Sequence, residues 1–385
     1  MNSSSGVNAS SLKQMNKTTI IDALLNGSPL TKPEIAERTG LTFATVSNLL
    51  NELMTAGYVR EAGYAKSGGG RKPLLYRLNP LSKVFFGVDV QVDQMVCVLM
   101  DIEGRLIVSS SVPFATSEGP HAAVALVCQQ VREMLAARQL DISQVGGAGI
   151  STPGPVDGEA GIILSPPNMP GWRNVPFRQM VQEELQVPCM LEKDANAAAY
   201  GENRYGAGQR TEHMIYVMSD VGIGGGLIFN GHVYRGFLND AGDIGHTIID
   251  MEGPRCNCGG RGCVEAVASG IAIERSVLQA TGVEMNLSSI LAEAPDNANL
   301  SALVAKAGDG LGVAIASLCN ALNPTMVILG GRLPIESELY FQHAQLTARQ
   351  RMLPEFTHQI RIERAKLKGR SAAMGAAMLA YRLIH

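Results

Sequence analysis

The chain has 385 residues, 46% of them hydrophobic and 17% charged, a balance that supports sizeable cores, excludes general disorder and suggests two or three domains. A single Trp and 5% aromatics argue against a sugar-stacking surface of rings, and the net charge of -3 hides an asymmetry. Residues 1–80 carry nine Lys/Arg against five Asp/Glu and the remainder 23 against 30, so a basic module suited to nucleic acid precedes an acidic body.

In the first module, apolar residues at 12, 15, 20, 21, 24 and 25 form a helical stripe that Gly27-Ser28-Pro29 ends. Thr31 and Glu34 have capping-box spacing before a short helix over Pro33–Arg38, and Thr39-Gly40-Leu41 reads as a tight turn. Thr42 is placed to cap a second helix running to about Ala56, with Val46, Leu49, Leu50 and Leu53 inward and Thr45, Asn48 and Glu52 on the other side. Two short helices joined by a Gly turn fit a helix-turn-helix. Asn48 suits an adenine edge, and Thr45 a thymine methyl or a phosphate. Residues 57–78 read as two strands around a basic glycine tip, with Lys66, Arg71 and Lys72 beside Gly68-Gly69-Gly70. The plainer reading is a helical hairpin followed by a solvated linker. The wing in the expected place favours a winged helix over residues 1–80, with Thr42, Thr45, Asn48, Lys66, Arg71 and Lys72 on DNA.

From Val84 the texture becomes α/β. Residues 84–112 read as three strands with a hairpin turn at Asp101–Gly104, followed by a helix near 120–138 and a buried strand, GGAGIST. A similar block starts at Met214, with Asn230-Gly231 as a hairpin signal. Two related blocks separated by helices predict two similar lobes facing a cleft. The C-terminal GRSAAMGAAMLAYRLIH reads as a small-residue helix packing back on the first lobe.

His246 precedes Cys256, Cys258 and Cys263, and glycines at 259, 260 and 262 let that loop curl. One His and three thiolates make a closed tetrahedral set, the composition of a structural zinc site. Cys97, Cys128, Cys189 and Cys319 sit in apolar stretches and read as core. No apolar run suggests a membrane span, and the opening MNSSSGVNASSLKQ lacks a signal peptide's hydrophobic stretch, so a cytoplasmic location is expected.

The stretches Gly149–Pro155, Ser165–Trp172, Lys193–Glu202, Gly222–Gly226 and Gly242–Glu265 resemble the ROK family of repressors and sugar kinases. The N-terminal module ending in Gly-Gly-Gly-Arg-Lys-Pro resembles its repressor branch. The resemblance implies a winged helix-turn-helix followed by a two-lobed actin-like, ribonuclease H-like fold. The lobes are expected at 81–190 with about 366–385, and at 191–365. It also implies zinc on His246, Cys256, Cys258 and Cys263, and a sugar held by positions matching Lys193, Asp194, Asp243, His246 and Glu265.

Two of those positions depart from the family pattern. Lys193 stands for a neutral amide and Asp243 for a Glu. The cation suits an acidic or phosphorylated sugar, or else pairs with Asp194 or Glu192. Asp194 matches the kinases' catalytic base, yet both phosphate-cradling turns are altered. The first reads Asp89-Val90-Gln91-Val92-Asp93 and the second Ser219-Asp220-Val221-Gly222, each with a carboxylate where a phosphate lies in the kinases. No catalytic residue is therefore expected. The expected function is a cytoplasmic, sugar-responsive repressor that binds a palindromic, A·T-rich operator as a homodimer or tetramer. The alternatives are a sugar kinase with an appended DNA-binding domain, and a repressor controlled by a partner protein.

Overall fold

The computed structural model describes residues 9–66, 72–80, 82–209, 211–237 and 240–383. The predicted contact of Arg71 with DNA lies outside them.

In the first domain, helix Ala9–Gly27 packs on helices Lys32–Thr39 and Phe43–Thr55. Local chemistry sets the second and third. Glu34 Oε2 accepts from Thr31 N at 2.7 Å while Thr31 Oγ1 accepts from Glu34 N, a complete capping box. Gly40, at φ 68°, ends that helix in the left-handed region. Thr42 Oγ1 accepts from Thr45 N at 3.2 Å and starts the next helix, whose Val46, Leu49, Leu50 and Leu53 are buried. Strands Val59–Tyr64 and Leu74–Leu78 pair antiparallel as the wing, with Leu30–Thr31 added at the edge. Glu52, on the outer side of the third helix, pairs with Lys13 and Lys17 of the first.

The body contains the same sheet twice. In the first, Val84–Val90, Gln94–Asp101 and Leu106–Pro113 form an antiparallel meander. Val145–Thr152 and Cys189–Lys193 then join parallel on the other side of Val84–Val90. In the second, Met214–Ser219, Ile223–Phe229 and His232–Tyr234 form the meander, and Met326–Gly330 and Arg361–Arg364 add in parallel. Helix Asp194–Tyr205 lies between the sheets, packed on Ile223–Phe229 and on the C-terminal helix Ser371–Leu379, which in turn covers the first sheet. Small residues allow that approach. A Cβ at Gly226 would meet Ala195 O at 2.3 Å, and one at Gly375 would meet Ala197 O at 1.8 Å.

Helix Ala298–Leu322 corrects one sequence expectation, since it is long and apolar enough to cross a membrane. It lies instead against helix Glu338–Arg351, and Leu300, Val304, Leu311, Ile315 and Cys319 are buried in the second lobe's core. Cys97, Cys128 and Cys189 are buried too.

The helix-turn-helix domain is seated on the first sheet of the body. Ile20, Ile21 and Leu24 share a core with Val98, Met100, Tyr200 and Tyr381. Under that seam the Asp22 carboxylate accepts from Arg204 Nη2 at 3.4 Å and from the Tyr381 hydroxyl. Arg77, on the wing's second strand, pairs with Glu103 at 2.7 Å.

Candidate functional site

The carboxyl ends of three parallel strands of the first sheet bring Asp89, Ser151, Lys193 and Asp194 together. Asp89 is opposite Ser151 in register, and Lys193 opposite Thr152. Ligands of open α/β sheets bind at such strand ends. Asp89 is buried and accepts from Gln91 Nε2 at 2.7 Å and Ser151 Oγ at 2.8 Å. Burial raises its pKa against those two bonds. Asp194 opens helix Asp194–Tyr205, and its Oδ1 accepts from Ala195 N at 2.6 Å. Burial, then the neighbouring Asp89, pushes its carboxyl up to about 7.

Lys193 does not pair with Asp194 or Glu192. Its ammonium, on a side chain 5% exposed, reaches Asp240 at 3.1 Å and Asp243, both beyond the second sheet's meander. Burial disfavours the charged amine, and the two carboxylates more than offset it, leaving the pKa above the usual lysine value. Its stem crosses Gly154, where a Cβ would come within 3.2 Å of Lys193 Cε. Glu192 instead takes Arg235 through Nη2 at 2.6 Å and Nε at 3.0 Å. Two adjacent residues of opposite charge thus tie the edge strand of the first lobe to the 235–243 segment of the second. Asp243, bound to Lys193, is not a free hydroxyl reader.

Glu265 lies on the second lobe at the start of helix Val264–Ala268, with Oε2 accepting from Ile223 N at 3.0 Å. The Gly222–Gly226 run is more than a hairpin turn, because Gly224, Gly225 and Gly226 are strand residues paired with Met218, Val217 and Tyr216. A Cβ on Gly222 would meet Glu265 Oε2 at 2.7 Å and lie 3.8 Å from Asn168 Nδ2. Asn168, within the stretch Ser165–Trp172, shares a small cavity with Glu265, Arg255 and Arg275. Sequence reasoning gave it no role, and its only signal was its place in that motif.

The loop after Glu252 brings three cysteines to His246. His246, Cys256, Cys258 and Cys263 place one atom each within 4.8 Å of all the others. Cys258 Sγ and Cys263 Sγ are 3.7 Å apart, matching the edge of about 3.8 Å for a tetrahedron with metal–sulfur bonds of ~2.3 Å. His246 Nδ1 is 3.7 Å from Cys256 Sγ, which leaves Nε2 for another partner. The loop curls as its glycines suggest. Gly259 and Gly262 have φ of 92° and 67°, and a Cβ on Gly262 would strike Asp250 O at 1.5 Å. The donors fit a closed, four-coordinate metal site.

The two altered turns are filled. Gln91 Nε2 donates to Asp89 at 2.7 Å, and Gln91 Oε1 accepts from Gln94 Nε2 at 2.8 Å. Asp220 is not an uncompensated carboxylate, contrary to the sequence reading. Arg332 Nε reaches its Oδ1 at 2.6 Å and Arg332 N its Oδ2 at 3.0 Å, just after Gly330-Gly331. Burial disfavours the Arg332 charge, and Asp220 first, then Asp93 and Glu336, outweigh it.

On the helix-turn-helix domain, Thr42, Asn48, Lys66 and Lys72 are exposed, while Thr45 is half-buried with its hydroxyl 2.9 Å from that of Thr42.

A helix-turn-helix seated on a body that repeats one five-stranded sheet defines a DNA-binding regulator with a duplicated α/β scaffold. The ROK family model matches residues 85–382 and the IclR helix-turn-helix domain model residues 18–63. The chain belongs to the ROK family. It is 30% identical over 378 residues to the xylose repressor of Caldicellulosiruptor bescii, covering 94% of each chain. It is 33% identical over 248 residues to the glucokinase of Thermotoga maritima, covering 60% of this chain and 78% of that one. A crystal structure of a ROK family transcriptional regulator, homologue of the E. coli MLC protein, covers 97% of both chains with a TM-score of 0.80 at 23% identity, a likeness of fold.

Proposed function

We propose that this protein is a sugar-responsive transcriptional repressor that binds a palindromic operator as a homodimer and takes its effector between the lobes of the body. One connection carries this reading. Helix Asp194–Tyr205 begins in the cleft at Asp194, and near its end Arg204 holds Asp22 of the DNA-reading domain. A ligand that changes the lobe angle moves this helix, and with it the seat of the DNA-reading domain. The effector must bind the two lobe arrangements with different affinity to do so. Asp194, Glu265 and His246 Nε2 are the sugar-facing groups, Asn168 joins them, and the Lys193–Asp243 pair borders them. The Lys193 charge is already balanced by Asp240 and Asp243, which removes the reason to expect an anionic sugar at that position. The two lobes meet after Lys193, the last residue of the first sheet.

Asp194→Asn and Glu265→Gln are expected to abolish sugar-induced release of operator DNA while changing sugar-free DNA affinity less than about twofold, since both are remote from the recognition helix. Fluorescence anisotropy with a labelled operator and a panel of sugars reads both quantities. Normal induction of both variants refutes the cleft assignment.

The four-ligand cluster holds a structural zinc. His246 through Nδ1 and Cys256, Cys258 and Cys263 through Sγ would hold it, and a bound ion would brace the 246–263 segment and fix the His246 ring with Nε2 left for a hydroxyl. Cys258→Ser and Cys263→Ser are expected to lose the metal, read by elemental mass spectrometry, and to unfold earlier in urea. Full zinc content in both counts against this ligand set.

The reading as a sugar kinase is disfavoured by Arg332 and Asp220, which fill the second phosphate turn. Phosphate transfer from ATP to a hexose at an ordinary enzymatic rate would reinstate it.

A further inference from the structure

The recognition helix Phe43–Thr55 contains no Lys or Arg. It therefore lacks the side chains that make bidentate contacts with guanine, the commonest specific base contact. Its hydroxyls are engaged inside the domain. Thr42 Oγ1 accepts from Thr45 N and shares a hydrogen bond with Thr45 Oγ1, and Ser47 Oγ accepts from Lys32 Nζ at 2.7 Å. The first turns of the helix present three other side chains. Phe43 is 57% exposed, and Ala44 and Asn48 are exposed as well. The amino-terminal residues of a recognition helix are the ones that reach base edges. An aromatic ring and a methyl suit the thymine methyl group, and an amide makes its bidentate contact with adenine.

We infer that Phe43 is a specificity-determining residue that reads the 5-methyl group of thymine, with Asn48 on adenine and Ala44 beside them, so each operator half-site is read as A·T pairs. This rests on the DNA-binding reading above. A lone exposed apolar side chain is ordinary on a protein surface. Here it stands on the reading helix, next to a second apolar residue and in place of any cation.

The test uses the full chain and an operator selected from random duplexes. Each thymine in the half-site is replaced in turn by uracil, which removes only the methyl. Binding is expected to weaken about fourfold at one or two positions, the scale of one buried methylene-sized group. Phe43→Ala is expected to lose as much on the thymine duplex and nothing further when uracil stands at the contacted position. Phe43→Leu keeps most of the discrimination. Equal binding of thymine and uracil duplexes at every position overturns the proposal, as does an unchanged thymine-to-uracil ratio in Phe43→Ala. Failure to select any duplex overturns the DNA-binding reading as well.

Discussion

Glu202→Ala is expected to destabilise the protein by about 3–5 kcal/mol, the scale for stripping a buried charge-assisted network of its centre. Glu202 is fully buried in helix Asp194–Tyr205. Its Oε1 accepts from Lys366 N at 3.0 Å, Leu367 N at 2.9 Å and Ser371 Oγ at 2.8 Å, and its Oε2 from Ala207 N at 2.8 Å. One carboxylate thus holds the crossing from the second sheet's last strand to the C-terminal helix. Alanine leaves three backbone N–H groups without that acceptor in the interior. Glutamine restores one acceptor oxygen but turns an NH₂ toward other donors, so Glu202→Gln falls between alanine and wild type. Urea unfolding checks both, and a wild-type midpoint for Glu202→Ala would show that the network contributes little.

On the proposed cleft assignment, in which a sugar hydroxyl donates to ionised Asp194, effector affinity is expected to weaken about tenfold from pH 8 to pH 6, because burial pushes that carboxyl up to about 7. Stability moves the other way. The folded carboxyl holds its proton more tightly than the unfolded one, whose pKa is about 3.9. The folded state therefore binds more protons between about pH 4 and 7, and stability falls as pH rises through that window and levels above it. Asp89, also raised by burial, acts in the same direction. Asp194→Asn removes this contribution, so its stability relative to wild type is expected to improve from pH 5 to pH 8, by up to about 2.5 kcal/mol. Urea unfolding of both proteins across that range, with effector titrations at each pH, checks both signs. A constant difference from wild type, with pH-independent affinity, would mean that Asp194 is ionised throughout.

Much of the DNA-reading domain was legible because its determinants are neighbours in sequence. The Thr31–Glu34 box, the Gly40 turn, the Thr42 cap and the buried stripe of the third helix each involve residues within one or two helical turns. The same holds for the Asn230-Gly231 hairpin, where both residues have positive φ. The metal cluster was legible for a related reason, since three of its ligands lie in one short loop whose glycines permit the curl. Ambiguity arose where one pattern serves two environments. The 25-residue apolar helix Ala298–Leu322 has the composition of a membrane span, and only its packing against Glu338–Arg351 makes it a core helix.

Charge and spacing alone determined that a basic helix-turn-helix precedes a duplicated α/β body carrying a His-Cys cluster. Tertiary structure decided which charges meet. Lys193 pairs across 50 residues with Asp243 rather than with its neighbours. Asp220 is compensated from 112 residues away by Arg332, and Asp22 meets Tyr381 across 359. Helical and turn geometry links residues a few positions apart, whereas the partner of a buried charge depends on which distant segment the packed core brings beside it.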